Sequence, residues 1–214
     1  MIDVEFELNE VRREVAEREL AEGRANVMRL SRSYPTSVSD LWDACTTRER
    51  LARWFVPVAG ELRLHGTYQL EGNAGGRVLS CDPPTSFTAT WEYGESVSWI
   101  DVRFEEVGPQ QARLVLEHIA HPDDHWAEFG PAATGLGWEY GLLGLRLYLD
   151  GVEWAQSDSE AWSASADGAR FARLAGQDWA QAHEAAGVPR AEAVAAAERT
   201  VAFYTADPEA PAGS

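Results

Sequence analysis

The chain of 214 residues contains no lysine: all 18 basic side chains are arginine, set against 35 carboxylates for a formal net charge of −17. A surface of that sign repels the phosphate backbone of nucleic acid and the anionic headgroups of a membrane, so neither is expected as a partner. No apolar run approaches the ~20 residues that a membrane-spanning helix needs, which excludes membrane insertion. The first residues, MIDVEFELNE, lack the basic and apolar regions of a signal peptide, and a cytoplasmic location is the expectation. Cysteine is scarce too. Cys45 and Cys81 are the only two, too few for a disulfide framework, and read as reduced thiols. A nucleophile elbow, a phosphate loop and a dinucleotide fingerprint are all missing. The glycine-rich run 72–76 (GNAGG) lacks the following helix that a phosphate cradle requires, and no cofactor is expected.

What the chain does have is material for a core. Hydrophobic residues make up 45% and nine are tryptophan, a composition that folds. The length fits one domain with an extension, or two small ones. The stretch 131–151, PAATGLGWEYGLLGLRLYLDG, reads as one helix that starts at a proline and stops at a glycine. At ~100° per residue it divides into four strips. Trp138, Leu142, Leu145 and Leu149 make one apolar strip, and Leu136, Tyr140, Leu143 and Leu147 another nearly opposite. Glu139, Arg146 and Asp150 form the only charged strip and are expected to face water. Gly137, Gly141 and Gly144, with Tyr148, form the fourth. Glycine inside a helix costs roughly 0.5–1 kcal/mol against alanine, so this strip predicts either close backbone packing or a cavity beneath the helix.

In chain order, residues 6–22 are charged and helix-compatible and read as a peripheral arm. Residues 26–34 alternate as a first strand. Ser37 with Asp40, then Thr46 with Glu49, form two capping boxes for short helices, which carry Leu41, Trp42 and Cys45, then Leu51, Trp54 and Phe55. From residue 60 to 119 the period changes to two. Leu62, Leu64, Tyr68 and Leu70 mark a strand, and GNAGG is hairpin chemistry. Short strands follow at 77–81, 87–93, 96–106 and 112–119, and their short connections require an antiparallel meander. Residues 120–130 read as a loop. Beyond the long helix, 159–166, 168–186 and 190–204 read as helices, and 207–214 as a disordered tail.

Residues 38–57, VSDLWDACTTRERLARWFVP, carry a V-x-x-x-W-x-A-x-T…W-F pattern. With Asp82-Pro83-Pro84 before a strand ending in Thr90-Trp91, LVLEH at 114–118 and Gly137-Trp138, this pattern resembles bacterial proteins similar to the C-terminal domain of the activator of the heat-shock chaperone ATPase. Those proteins belong to the START/polyketide-cyclase-like (SRPBCC) superfamily. The resemblance spans residues 25–150 and implies an α+β helix-grip fold, a curved antiparallel sheet wrapped around a long C-terminal helix. Outside it lie an N-terminal arm (1–24) and a helical extension (152–206), which is expected to pack on the helix-grip domain (25–151). The superfamily holds its ligands between sheet and long helix, with lining residues from the long helix, the inner sheet face and the two short helices. Carried over, that nominates Trp54, Phe55, Tyr68, Trp91, Trp99, Trp138, Gly141 and Tyr148 as lining residues.

The densest titratable cluster is Glu117, His118, His121, Asp123, Asp124, His125 and Glu128. Its histidines have zinc-ligand types, but strand-end and loop positions enforce no ligand geometry, and it reads as a solvated loop without a metal. Glu117 and His118 are the first acid/base pair to test. Glu92, Asp101, Arg103 and Glu117 face inward in one register of the sheet, which the sequence does not fix. Three functions follow in order of expectation. The first is non-catalytic binding of a small apolar or aromatic molecule. The second is a chaperone-regulator-like module whose acidic surface docks a protein partner. The third is a cyclase or hydratase using His118 or Glu117. Oligomeric state is open, a dimer included.

Overall fold

Asp3 starts the first helix by accepting the Phe6 N–H, in a computed structural model that describes residues 2–154 and 156–206. Helix α1 (Val4–Asn9) leads into strands β1 (Arg12–Leu20) and β2 (Gly23–Tyr34), which pair as a hairpin. The expected helical arm over 6–22 is therefore mostly a strand. Its Arg/Glu run fits both periods, and partners on the two sides of the sheet decide between them. Arg13 points to one face and meets Glu139, while Arg18 points to the other and meets Glu117.

Helices α2 (Val38–Thr46) and α3 (Arg48–Leu51) follow. Ser37 accepts the Asp40 N–H at 3.2 Å, as the first capping box predicts. Ser37→Ala is expected to destabilise the protein by about 1 kcal/mol, read from the denaturant midpoint at unchanged slope. The second start shifts by one residue. Thr47 is the cap, and the Thr46 hydroxyl donates back to the Trp42 carbonyl at 2.7 Å because Thr46 still belongs to α2.

Strands β3 (Val58–Gly60), β4 (Thr67–Leu70), β5 (Gly75–Asp82), β6 (Ser86–Tyr93), β7 (Ser96–Gly108) and β8 (Gln111–Ala120) form the meander. The strand expected to run unbroken through Leu62 and Leu64 is interrupted by a turn over 61–66. Gly60 has φ +93°, where an added Cβ would overlap the Thr67 carbonyl, and His65 is left-handed at φ +64°. All neighbours are antiparallel in the order β1-β2-β8-β7-β6-β5-β4-β3, a curved, unclosed sheet. One face, called inner here, carries Met28, Leu30, Ala89, Ile100, Val102, Leu114 and Leu116 into the main core.

The expected loop at 120–130 contains α4 (Asp124–Phe129), capped by Asp123, whose carboxylate accepts the Trp126 N–H at 2.7 Å. Then come the long helix α5 (Ala132–Leu149), α6 (Gln156–Ser163), α7 (Ala166–Ala185) and α8 (Arg190–Thr205). The expected tail 207–214 lies outside the described residues. Helix α5 packs on β2, α7 and α8, so both of its apolar strips are covered. Its charged strip is not a water-facing one. Glu139 is 1% exposed and takes Arg13 of β1 in a two-pronged pair, with Trp179 of α7 donating its indole N–H at 2.6 Å. Only Arg146 and Asp150 of that strip lie near the surface, paired with each other. No helix among the described residues is long and apolar enough to cross a membrane.

Candidate functional site

Where the sheet curls away from α5, the space between it and the two short helices is not filled. A cavity of about 510 Å³ lies there. Helix α2 contributes Trp42, Cys45 and Thr46, and the turn after α3 contributes Trp54 and Phe55. The β6–β8 floor supplies Phe87, Ala89, Trp91, Ile100, Val102, Leu114 and Leu116, and α5 adds only Trp138. The chamber therefore sits between sheet and short helices, with the long helix closing one side. Its aromatic wall is continuous: Trp91 and Trp138 lie 4.8 Å apart between ring centroids, and Phe55 stacks on Trp138 at 6.1 Å.

The glycine strip explains how those aromatics are seated. An added Cβ at Gly144 would lie 2.6 Å from the Trp54 carbonyl oxygen, and one at Gly141 would touch the Phe55 ring at 3.6 Å. The missing side chains admit the turn after α3, and Gly141 itself lies behind Phe55. Gly137 has the Tyr204 hydroxyl of α8 as its neighbour. Close packing is the outcome.

Five of the eight nominated residues, Trp54, Phe55, Tyr68, Trp91 and Trp138, line the chamber. Trp99 does not. It pairs with Ile119 on the outer sheet face, packs on the Ala25, Val27 and Ile119 cluster, and meets His121 edge-on at 5.5 Å. Tyr148 also lies elsewhere: its hydroxyl accepts from Arg50 at 2.8 Å, and the Arg50 and Arg53 guanidiniums each sit 5.4 Å from its ring. Among the residues not nominated, Phe87 shares the alternation that marks Trp91, and Trp42 and Cys45 share the apolar stripe of α2. Ala89 falls in the same alternation, and what makes it a wall residue is its small size.

Several polar atoms of the wall are already engaged. The Trp54 indole N–H donates to the Ala44 carbonyl at 3.0 Å, and the Tyr68 hydroxyl donates to the Thr90 carbonyl at 2.6 Å. The Trp138 N–H donates to Nδ1 of His118 at 3.1 Å, which puts the proton of the neutral imidazole on Nε2. Burial raises the Cys45 thiol and Tyr68 hydroxyl far above their ordinary values, so both stay neutral. Burial likewise lowers His118 to about 4, with no charged group opposing it.

Adjacent residues of a strand face opposite ways, and this separates the nominated acid/base pair. His118 is on the inner face beside Trp138, whereas Glu117 is on the outer face. There Arg18 (2.6 Å), Arg29 (2.6 Å) and Arg103 (3.8 Å) surround it. Burial pulls its pKa upward, but the hydrogen bonds from Arg29 and Arg18 outweigh that and hold it below the ordinary value. Asp101 and Arg103 pair with each other at 2.8 Å on the outer face, alongside Glu117. The inward register for these charges is thus not adopted, because Val102, Leu114 and Leu116 take the core side. The other histidines of the cluster also part. His121 Nδ1 lies 3.0 Å from the Arg24 carbonyl and His125 packs near Phe129, and no group of three or more metal-ligand side chains forms among the described residues.

The same fold recurs in solved structures. The solution structure of CalU16 from Micromonospora echinospora is 29% identical with a TM-score of 0.70, covering 83% of this chain and 97% of that one. Its crystal structure gives 30% identity and a TM-score of 0.60 over 77% and 98%. An HSP90 activator from Plasmodium falciparum shares the fold at 20% identity and a TM-score of 0.50, covering 58% of this chain and 96% of that one. No curated protein matches the chain. The family pattern and the CalU16 likeness support a general binding-domain role. Matched over residues 35–150, the chain belongs to the family described as Activator of Hsp90 ATPase homolog 1-like protein, with the SRPBCC-type fold.

Proposed function

We propose that the chain is a non-catalytic binding protein that holds a small apolar or aromatic molecule in the chamber between the sheet and the α2–α3 helices. The observation that carries this reading is the 510 Å³ space behind an aromatic wall in which the Trp54 and Trp138 N–H groups and the Tyr68 hydroxyl are satisfied within the protein. Ligand pockets are typically about 300–1,000 Å³ with mostly apolar walls. A guest burying about 300 Å² of apolar surface gains on the order of 7 kcal/mol before association costs, so burial alone supports about millimolar binding at best, and tighter binding needs a larger buried area or polar contacts. An acid/base role for Glu117 with His118 has no support in the geometry, since the sheet lies between them.

Native mass spectrometry and thermal melting across a panel of lipids and aromatic polyketides test the reading. Ala89→Trp puts an indole into the chamber and is expected to weaken any ligand found by about 100-fold or more. A ligand whose affinity ignores Ala89→Trp would be bound elsewhere and would end this reading. A protein-interaction reading draws on the charge of −17, which suits a basic partner. Retention of no partner in a low-salt pull-down would remove it.

A further inference from the structure

We infer, building on that binding reading, that the chamber takes an amphiphile with one anionic end, its apolar or aromatic body inside and its charged group at the rim beside Arg63. The inner wall decides where a polar group cannot go. The Trp54, Tyr68 and Trp138 donors are consumed by protein acceptors, and the Thr46 hydroxyl donates to the Trp42 carbonyl. Among the described residues Arg63 is the only charged side chain in the chamber's lining, so a charged group placed deeper would lose its water without gaining a countercharge, and it remains at the mouth.

The mouth is cationic in a chain whose net charge is strongly negative. The turn over 61–66 lends Leu62, Arg63 and Leu64 to the chamber wall. Its backbone is pinned: His65 N–H donates to the Val78 carbonyl at 2.9 Å, and Val78 N–H donates to Gly66 at 3.0 Å. Arg63 is thus held at a fixed place on the rim while its side chain stays 72% exposed. It donates to Glu61 through one nitrogen at 2.7 Å, and its other N–H groups are bonded to no other described residue. Two more guanidiniums brace the same turn through carbonyls, Arg48 to Gly60 (2.5 Å) and Arg77 to His65 (2.7 Å). Among the described residues, Glu61 is the only carboxylate ion-paired with any of the three. A planar guanidinium with open donors suits a carboxylate, sulfonate or phosphate oxygen.

Two dyes with the same anilinonaphthalene body separate the rim from the chamber: 1-anilinonaphthalene-8-sulfonate, which is anionic, and N-phenyl-1-naphthylamine, which is neutral. Fluorescence titrations use the full chain, Arg63→Gln and Ala89→Trp, with folding of each checked by thermal melting. Arg63→Gln is expected to weaken the sulfonate dye about threefold to fivefold, as for an exposed ion pair, and to leave the neutral dye unchanged. That difference should shrink as salt is raised. Ala89→Trp is expected to displace both dyes. Equal responses of the two dyes to Arg63→Gln, or no response from either, would overturn the anionic end group while leaving the chamber as a binding site. Failure of both dyes to bind the unaltered chain, or binding indifferent to Ala89→Trp, would overturn the chamber and the end group together.

Discussion

Replacing Glu139 with alanine is expected to destabilise the protein by about 3–5 kcal/mol, the range for breaking a buried ion pair from one side. The carboxylate has no exposed side-chain surface and the Arg13 side chain only 7%. Arg13 Nε and Nη2 each reach a different carboxylate oxygen at 2.7 Å, and the Trp179 indole donates to Oε1 at 2.6 Å. Alanine would strand a guanidinium and an indole N–H in the core, with the Asp178 contact at 3.1 Å as the main charge left to Arg13. Although burial alone lowers the Arg13 pKa, its Glu139 partner outweighs that and the net direction is upward, so the guanidinium stays charged. Equilibrium denaturation measures the loss. The double change Arg13→Met with Glu139→Leu should recover much of it, because replacing both partners leaves neither charge unpaired. A loss below about 1 kcal/mol for Glu139→Ala would mean that the network relaxes into solvent, against this account.

The second large effect is acid sensitivity from His118. Its folded pKa of about 4 lies below the ordinary 6.5, so the unfolded chain binds the proton more tightly. Stability from this group is complete above about pH 6.5 and is lost as pH falls towards 4, on the order of 3 kcal/mol in all. Protonation also removes the Nδ1 acceptor of the Trp138 N–H, so Trp138 emission should change over the same interval. His183 is lowered by burial too, and Glu117 is held below its ordinary value by Arg29 and Arg18 against the upward pull of burial. Comparing the chain with His118→Gln cancels both, since both remain. The stability slope between pH 6.5 and 4 should flatten in His118→Gln; an unaltered slope would show that His118 does not carry it.

Local signals proved reliable where one element decides its own shape. The Ser37 cap, the GNAGG hairpin and the alternation of Phe87, Ala89 and Trp91 each state a geometry that needs no distant partner. Signals failed where the decision is made across the fold. The Arg/Glu run at 12–20 becomes a strand because its two faces find Glu139 and Glu117, neither of which is near in sequence. Glu139 looks solvent-facing on a helical wheel, and only the arrival of Arg13 and Trp179 makes its burial tolerable. Trp99 and Trp91 are both strand tryptophans, and a register of one residue places them on opposite faces. The chamber was legible as a set of aromatics. That the long helix would give it only Trp138 was not, since that depends on where the turn after α3 rests against Gly141 and Gly144.

Trp179 gives the extension a meaning that its place in the chain hides. Its indole fills the space over Gly135, where any Cβ would overlap it, and the ring is fully buried. The family pattern ends at residue 150, yet the element that seals the far flank of α5 comes nearly thirty positions later. The family match and the folded core thus have different borders in this molecule. A chain cut at residue 150 would keep the residues of the family match and lose a wall, leaving Leu136, Leu143 and the Arg13–Glu139 pair open to water. Helix-grip core and extension should melt together in one transition, as a single cooperative unit.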